Sequence, residues 1–98
     1  MAASRAFPAW EKTPATAKRM IFLKAAGLLQ TEKYKTKTIQ AYKDETSSKD
    51  WGIANLMGSI FGLTEAASLA TQIKGESYPS QAPGGYVIVQ RRAHGVVY

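Results

Sequence analysis

The sequence predicts an α+β chain, mainly helical, with three to four helices of which the last is long, followed by a C-terminal pair of β-strands. Apolar residues recur in steps of three and four at Leu56, Ile60, Leu63, Ala67, Ala70 and Ile73, the period of a single helix. Upstream, two shorter stretches carry the same period more weakly. Downstream, Pro79, Pro83 and the Gly84-Gly85 pair interrupt it, and residues 86–91 then present β-branched residues in succession.

Residues 2–10 form a short apolar and aromatic segment, expected to begin as a helical turn and to dock Phe7 and Trp10 on the core. Thr13-Pro14 reads as a helix start, with threonine as the cap and proline in the first helical position. That second helix reaches about Gln30. Ala17, Ile21, Lys24, Ala25 and Leu28 trace one face, and Phe22, Ala26 and Leu29 widen it, so neighbours are expected on two sides. Thr31, Glu32 and Lys33 break the pattern. Tyr34, Thr38, Ala41, Tyr42 and Glu45 then outline a third helix with lysines on its opposite face. Thr46, Ser47 and Ser48 form a loop, and Ser48 is placed to cap the long helix, with Asp50 in its first turn, where the helix dipole favours a negative charge. Gly75 is the expected stop of that helix. After the turn at Gly84-Gly85, the strand over 86–91 is followed by a second strand signal over 95–98.

Composition narrows the classes of function. The chain has 98 residues, 45% hydrophobic and 20% charged, enough for one domain with a modest core. No run looks long enough for a membrane span and no secretory signal is evident, which implies a cytoplasmic chain without a membrane partner. The absence of cysteine removes thiolate catalysis, thiolate metal sites and disulfides together, and the single histidine, His94, cannot assemble a zinc site with others of its kind. No metal or other cofactor is expected. Net charge is +6, with Lys33, Lys35, Lys37, Lys43 and Lys49 close in sequence. Glu32, Asp44 and Glu45 are interspersed among them and no aromatic run accompanies them, the pattern of a solvated face rather than a nucleic-acid interface.

Several segments taken together resemble the N-terminal portion of an aldehyde dehydrogenase of the salicylaldehyde or vanillin type. They are residues 6–10, Thr13-Pro14, 24–29, 44–46, 66–76, Pro79-Ser80, Pro83-Gly84 and 91–97, in order and covering essentially the whole chain. The resemblance implies three helices leading to a long one, then a strand of an oligomerisation sheet, then the first strand entering a dinucleotide-binding domain. It also implies that the family's oxyanion-hole asparagine, glycine-rich cofactor loop, general-base glutamate and nucleophilic cysteine lie beyond what is present here. Without the covering domain, the apolar faces of the second and fourth helices and the strand edges over 86–91 are expected to face water and drive self-association, most simply as a homodimer.

The candidate site lies on the long helix. Gly58, Gly62, Ala66 and Ala70 fall four residues apart and form a stripe with almost no side chain, while two interior glycines cost about 1 kcal/mol each relative to alanine. Either a backbone packs in that groove or it admits a ligand. The resemblance implies that the middle of this helix borders a substrate channel, which makes Asn55, Gly58, Phe61, Gly62 and Glu65 the substrate-facing positions. Trp51 is the aromatic candidate beside them, with Tyr34, Tyr42 and Tyr78 further off. Glu65, as a carboxylate beside a dry groove, is the candidate acid or base. Two classes of function follow. One is a cofactor-free binder of an apolar or aromatic small molecule, with isomerisation or cyclisation as its chemistry. The other is a non-catalytic oligomerisation or interaction module, or a truncated aldehyde dehydrogenase fragment.

Covalent attack on an aldehyde carbonyl in the family manner needs a thiolate, so these 98 residues are expected neither to bind NAD saturably nor to produce NADH from an aldehyde. Calorimetric titration with NAD and an absorbance assay for NADH check this, and saturable binding or turnover in either would refute it.

Overall fold

The computed structural model of the chain describes residues 1–46 and 48–97, so Ser47 of the expected loop and Tyr98 of the expected last strand lie outside the described residues. Four helices come first: α1 (Ala2–Lys12), α2 (Ala15–Leu29), α3 (Glu32–Thr46) and α4 (Lys49–Ala70). Strands β1 (Glu76–Pro79) and β2 (Tyr86–Val89) follow as an antiparallel hairpin. The long last helix and the terminal strand pair are therefore as the sequence predicts.

The core is the line along which α4 packs against α2 and α3. Leu56 is its only large buried side chain among the described residues, accompanied by Ala26 of α2 and by Ala67 and Ala70 of α4. Small residues set the spacing. At Gly52, an added Cβ would meet the Ile39 carbonyl oxygen and the Tyr42 Cβ, each at 3.2 Å, so α3 crosses α4 almost backbone to backbone. Thr38, Ile39 and Tyr42 are the half-buried side of α3. On α2 the packed side is Phe22, Ala25, Ala26 and Leu29, while Ile21 and Leu28 stay exposed, because the tighter contact with α4 selects the face bearing the alanines.

Local chemistry sets some of the helix ends. Ser48 caps α4 as expected, its Oγ accepting from the Trp51 N–H at 3.2 Å. Thr13 does not cap α2. Its hydroxyl donates back to the Ala9 carbonyl at 2.9 Å, and Pro14, in an extended conformation, occupies the cap position. Residues 2–12 extend the expected single turn into a full helix despite Pro8 within it, since four alanines favour the helical state. The long helix stops at Ala70, five residues before Gly75, with Thr71 at its C-cap. Ile73 falls outside it, in the turn and extended chain that lead to the strands.

The second strand of the pair lies upstream of residues 86–91, not at 95–97, where the chain is irregular. Glu76 pairs with Val89, Ser77 with Ile88, Tyr78 with Val87 and Pro79 with Tyr86. The connection is short enough for a hairpin: the Ser80 N–H donates to the Gly85 carbonyl, the Gly85 N–H to the Ala82 carbonyl, and Gly84 supplies the φ of +73° that the turn needs. No helix packs on the hairpin. The chain is accordingly extended, 64 × 27 × 23 Å with a radius of gyration of 19.1 Å, against about 12 to 13 Å for a compact domain of this length.

α4 also departs from one expectation. By length and composition it is apolar enough to cross a membrane. α2 and α3 pack along one side of it, and 17% of its apolar window is buried.

The Gly52 contact predicts a sign. Gly52→Ala gains about 1 kcal/mol of helix propensity but overpacks against the α3 backbone at a cost of about 1 to 3 kcal/mol. The expected outcome is a net loss of stability, read as a lower urea midpoint at unchanged slope.

Candidate functional site

The two sides of α4 differ sharply. Gly52, Leu56, Ala67 and Ala70 are buried, and Asn55, Ser59, Ile60, Leu63 and Ala66 are half-buried. At about 100° per residue, Glu65 stands on the opposite side of the helix from Leu56, and it is exposed. Gly58 and Gly62 are exposed with it, and a Cβ built on either would meet nothing within 4 Å. Phe61 and Trp51 share this open side, with 66% and 58% of their surface in water.

The structure thus gathers Trp51, Gly58, Phe61, Gly62 and Glu65 on one surface, but that surface is convex and open, not the wall of a groove. Asn55 stands at its margin, and its amide is used locally, donating to the Trp51 carbonyl at 2.9 Å. The small-residue stripe fails as a groove for a geometric reason. Each step of four residues advances about 40° around a helix of 3.6 residues per turn. A stripe that starts on the water side at Gly58 therefore ends on the core side at Ala70.

The enclosing geometry lies elsewhere. At the junction of α1 and α2 the Trp10 ring lies edge-to-face against Phe22, with centroids 5.9 Å apart and an interplanar angle of 75°. Lys18 places its Nζ 5.3 Å from the centroid of the Trp10 ring, a cation–π arrangement. With Leu69, Ala70 and Ile73 from the end of α4 and the residues after it, these side chains line a cleft of about 510 Å³. The volume falls within the range of small-molecule sites. Its walls are aromatic and aliphatic, and Lys18 is the one charged side chain among them. Sequence reasoning assigned Trp10 and Phe22 to the core. The signal that marks them is Trp10 placed three residues before Thr13-Pro14, at the junction where the aromatic of one helix meets that of the next edge-to-face.

The basic face of α3 is as dispersed as its sequence suggests. Glu32 and Lys35 form an exposed ion pair at 3.6 Å, and Gln40 donates to Asp44 at 2.6 Å. Such surface pairs contribute little stability.

The aldehyde dehydrogenase family model matches residues 1–98. The chain is 36% identical over 96 residues to a vanillin dehydrogenase of Pseudomonas fluorescens, covering 98% of this chain and 20% of that protein. It is 34% identical over 79 residues to a salicylaldehyde dehydrogenase of Pseudomonas putida, covering 81% and 16% respectively. It is also 32% identical over 96 residues to an N-succinylglutamate 5-semialdehyde dehydrogenase of Cronobacter sakazakii, covering 98% and 19%. The chain spans about a fifth of the length of these curated relatives. No solved structure matches it.

The open surroundings of Gly62 predict that Gly62→Ala stabilises the isolated chain by about 1 kcal/mol, the helix-propensity difference in an exposed helix interior. A raised urea midpoint is the expected result. A lowered one would mean that the glycine is required by a close contact in solution.

Proposed function

The chain belongs to the aldehyde dehydrogenase family, and from that premise we propose that these 98 residues act without redox chemistry of their own, as an association module whose apolar faces are covered by a second copy. The carrying observation is the apolar surface left in water. The accessible surface is 7979 Å², against about 5,500 Å² for a compact monomer of this size. Trp51, Phe61, Ile73 and Ile88 each expose more than half of their surface, and contiguous patches of such residues mark interaction sites.

A lone two-stranded hairpin is marginal in water and offers unpaired strand edges. Pairing β2 with its counterpart across a two-fold axis satisfies both needs. In this reading Trp51, Asn55, Gly58, Phe61, Gly62 and Glu65 belong to the face of α4 that the partner covers, opposite the side on which α2 and α3 pack, and the assembly is cytoplasmic.

One observation favours a second reading, in which the chain also binds an apolar or aromatic small molecule: the cleft between Trp10, Phe22 and Leu69. A cofactor-free isomerisation or cyclisation there would draw its proton transfer from Lys18, or from Glu11 in the adjoining depression, since Glu65 does not line the cleft.

Light scattering at about 50 μM, well above the ~1 μM dissociation constant common for specific dimers, should give the mass of a dimer or larger assembly. Ile88→Lys should move that mass toward the monomer. A folded monomer at this concentration would overturn the association reading.

A further inference from the structure

The apolar cleft does not close at Ile73. Ile73 and Lys18 are shared with a depression of about 310 Å³ that is also lined by Glu11, Arg91 and Arg92. Ile73, Arg91 and Arg92 are shared in turn with a third hollow that includes Lys74. The three hollows adjoin one another along these shared side chains and make up a trough, aromatic at one end and cationic at the other. We propose that this trough binds an aromatic carboxylate, its ring against Trp10 and Phe22 and its carboxylate on Lys18, Arg91 and Arg92.

The charge balance supports an anion. Lys18, Lys74, Arg91 and Arg92 face a single carboxylate, Glu11. Among the described residues none of these cations has a carboxylate within ion-pair distance, the one such pair being Lys35–Glu32 on α3. Arg92 donates one N–H to the Gln90 side-chain oxygen at 3.3 Å, and the rest of its guanidinium remains available. The planar guanidinium fork matches a carboxylate in two parallel hydrogen bonds, whereas an uncharged ligand would leave these donors facing an apolar surface. Lys18 joins the two halves, since it stands over the Trp10 ring and also lines the cationic depression. A ligand with its ring in the cleft and its carboxylate at Lys18 puts its charge at the edge of the depression that Arg91 and Arg92 line. Because the trough is open at its surface, the ligand enters without any backbone rearrangement.

The inference rests on the second reading above, that the cleft accepts an aromatic molecule, and the test separates the two. The probes are 2-naphthoate and its uncharged isostere 2-naphthamide, titrated into the chain carrying Trp51→Phe so that Trp10 alone reports by fluorescence. Saturable quenching by naphthoate is expected, with naphthamide at least about tenfold weaker. The double variant Arg91→Gln, Arg92→Gln, its fold verified by circular dichroism, should lower naphthoate affinity about tenfold and leave naphthamide unchanged. Equal affinity for both probes, or no effect of the double variant, would refute the carboxylate while leaving an aromatic cleft in place. Failure of both probes to bind would remove the cleft as a site altogether.

Discussion

The near-contact of α4 with α3 at Gly52 is the constraint on which the rest of the structure depends. An added Cβ there would stand 3.2 Å from a backbone carbonyl, so the two helices approach more closely than side chains normally allow. That approach turns Leu56 inward between α2 and α3 and aligns Ala67 and Ala70 on the same side. The orientation of α4 about its own axis follows. Once Leu56 is buried, Gly58, Phe61, Gly62 and Glu65 must face away, because a helix of 3.6 residues per turn leaves them no other direction. A single packing choice therefore decides the fate of every candidate site residue.

The same economy leaves the molecule short of a core. Four buried apolar residues, three of them alanines, cannot offset the conformational entropy of ordering 98 residues by themselves. The missing burial is visible as exposed aromatic and aliphatic side chains along α4 and the hairpin. These exposed faces are what the proposed association would bury. The cleft at Trp10 is a smaller instance, where α1 touches α2 through one aromatic pair and leaves space between.

The site illustrates how far a sequence pattern reaches. Residues four apart do share a neighbourhood on a helix, and Gly58 and Gly62 are neighbours on α4 as their spacing requires. Whether that neighbourhood faces a partner depends on contacts from residues far away in the chain. The cationic trough was invisible for the same reason, since Lys18 and the Arg91-Arg92 pair are more than seventy positions apart in the chain. The family resemblance was legible because it needs only the order of local segments, and it drew on helix starts and turns that the chain encodes locally.

What the sequence determined by itself is whatever depends on neighbours within a few residues. Ser48 caps α4 because its hydroxyl reaches the Trp51 N–H, and Gly84 makes the hairpin turn because it tolerates a positive φ. The period of Leu56, Ile60, Leu63 and Ala67 marks a helix wherever it stands. The tertiary structure alone decided which strand pairs with β2, since the β-branched residues at 95–97 and the chain at 76–79 both offered partners, and the six-residue connection from Ser80 through Gly85 closed the upstream one. It also decided that Thr13 bonds back to Ala9, that α4 ends at Ala70, and that the small-residue stripe turns from water to core along its length. Where two segments offer themselves as partners, local preferences of a few tenths of a kcal/mol to about 1 kcal/mol leave them nearly balanced, and the contacts of the folded chain decide between them.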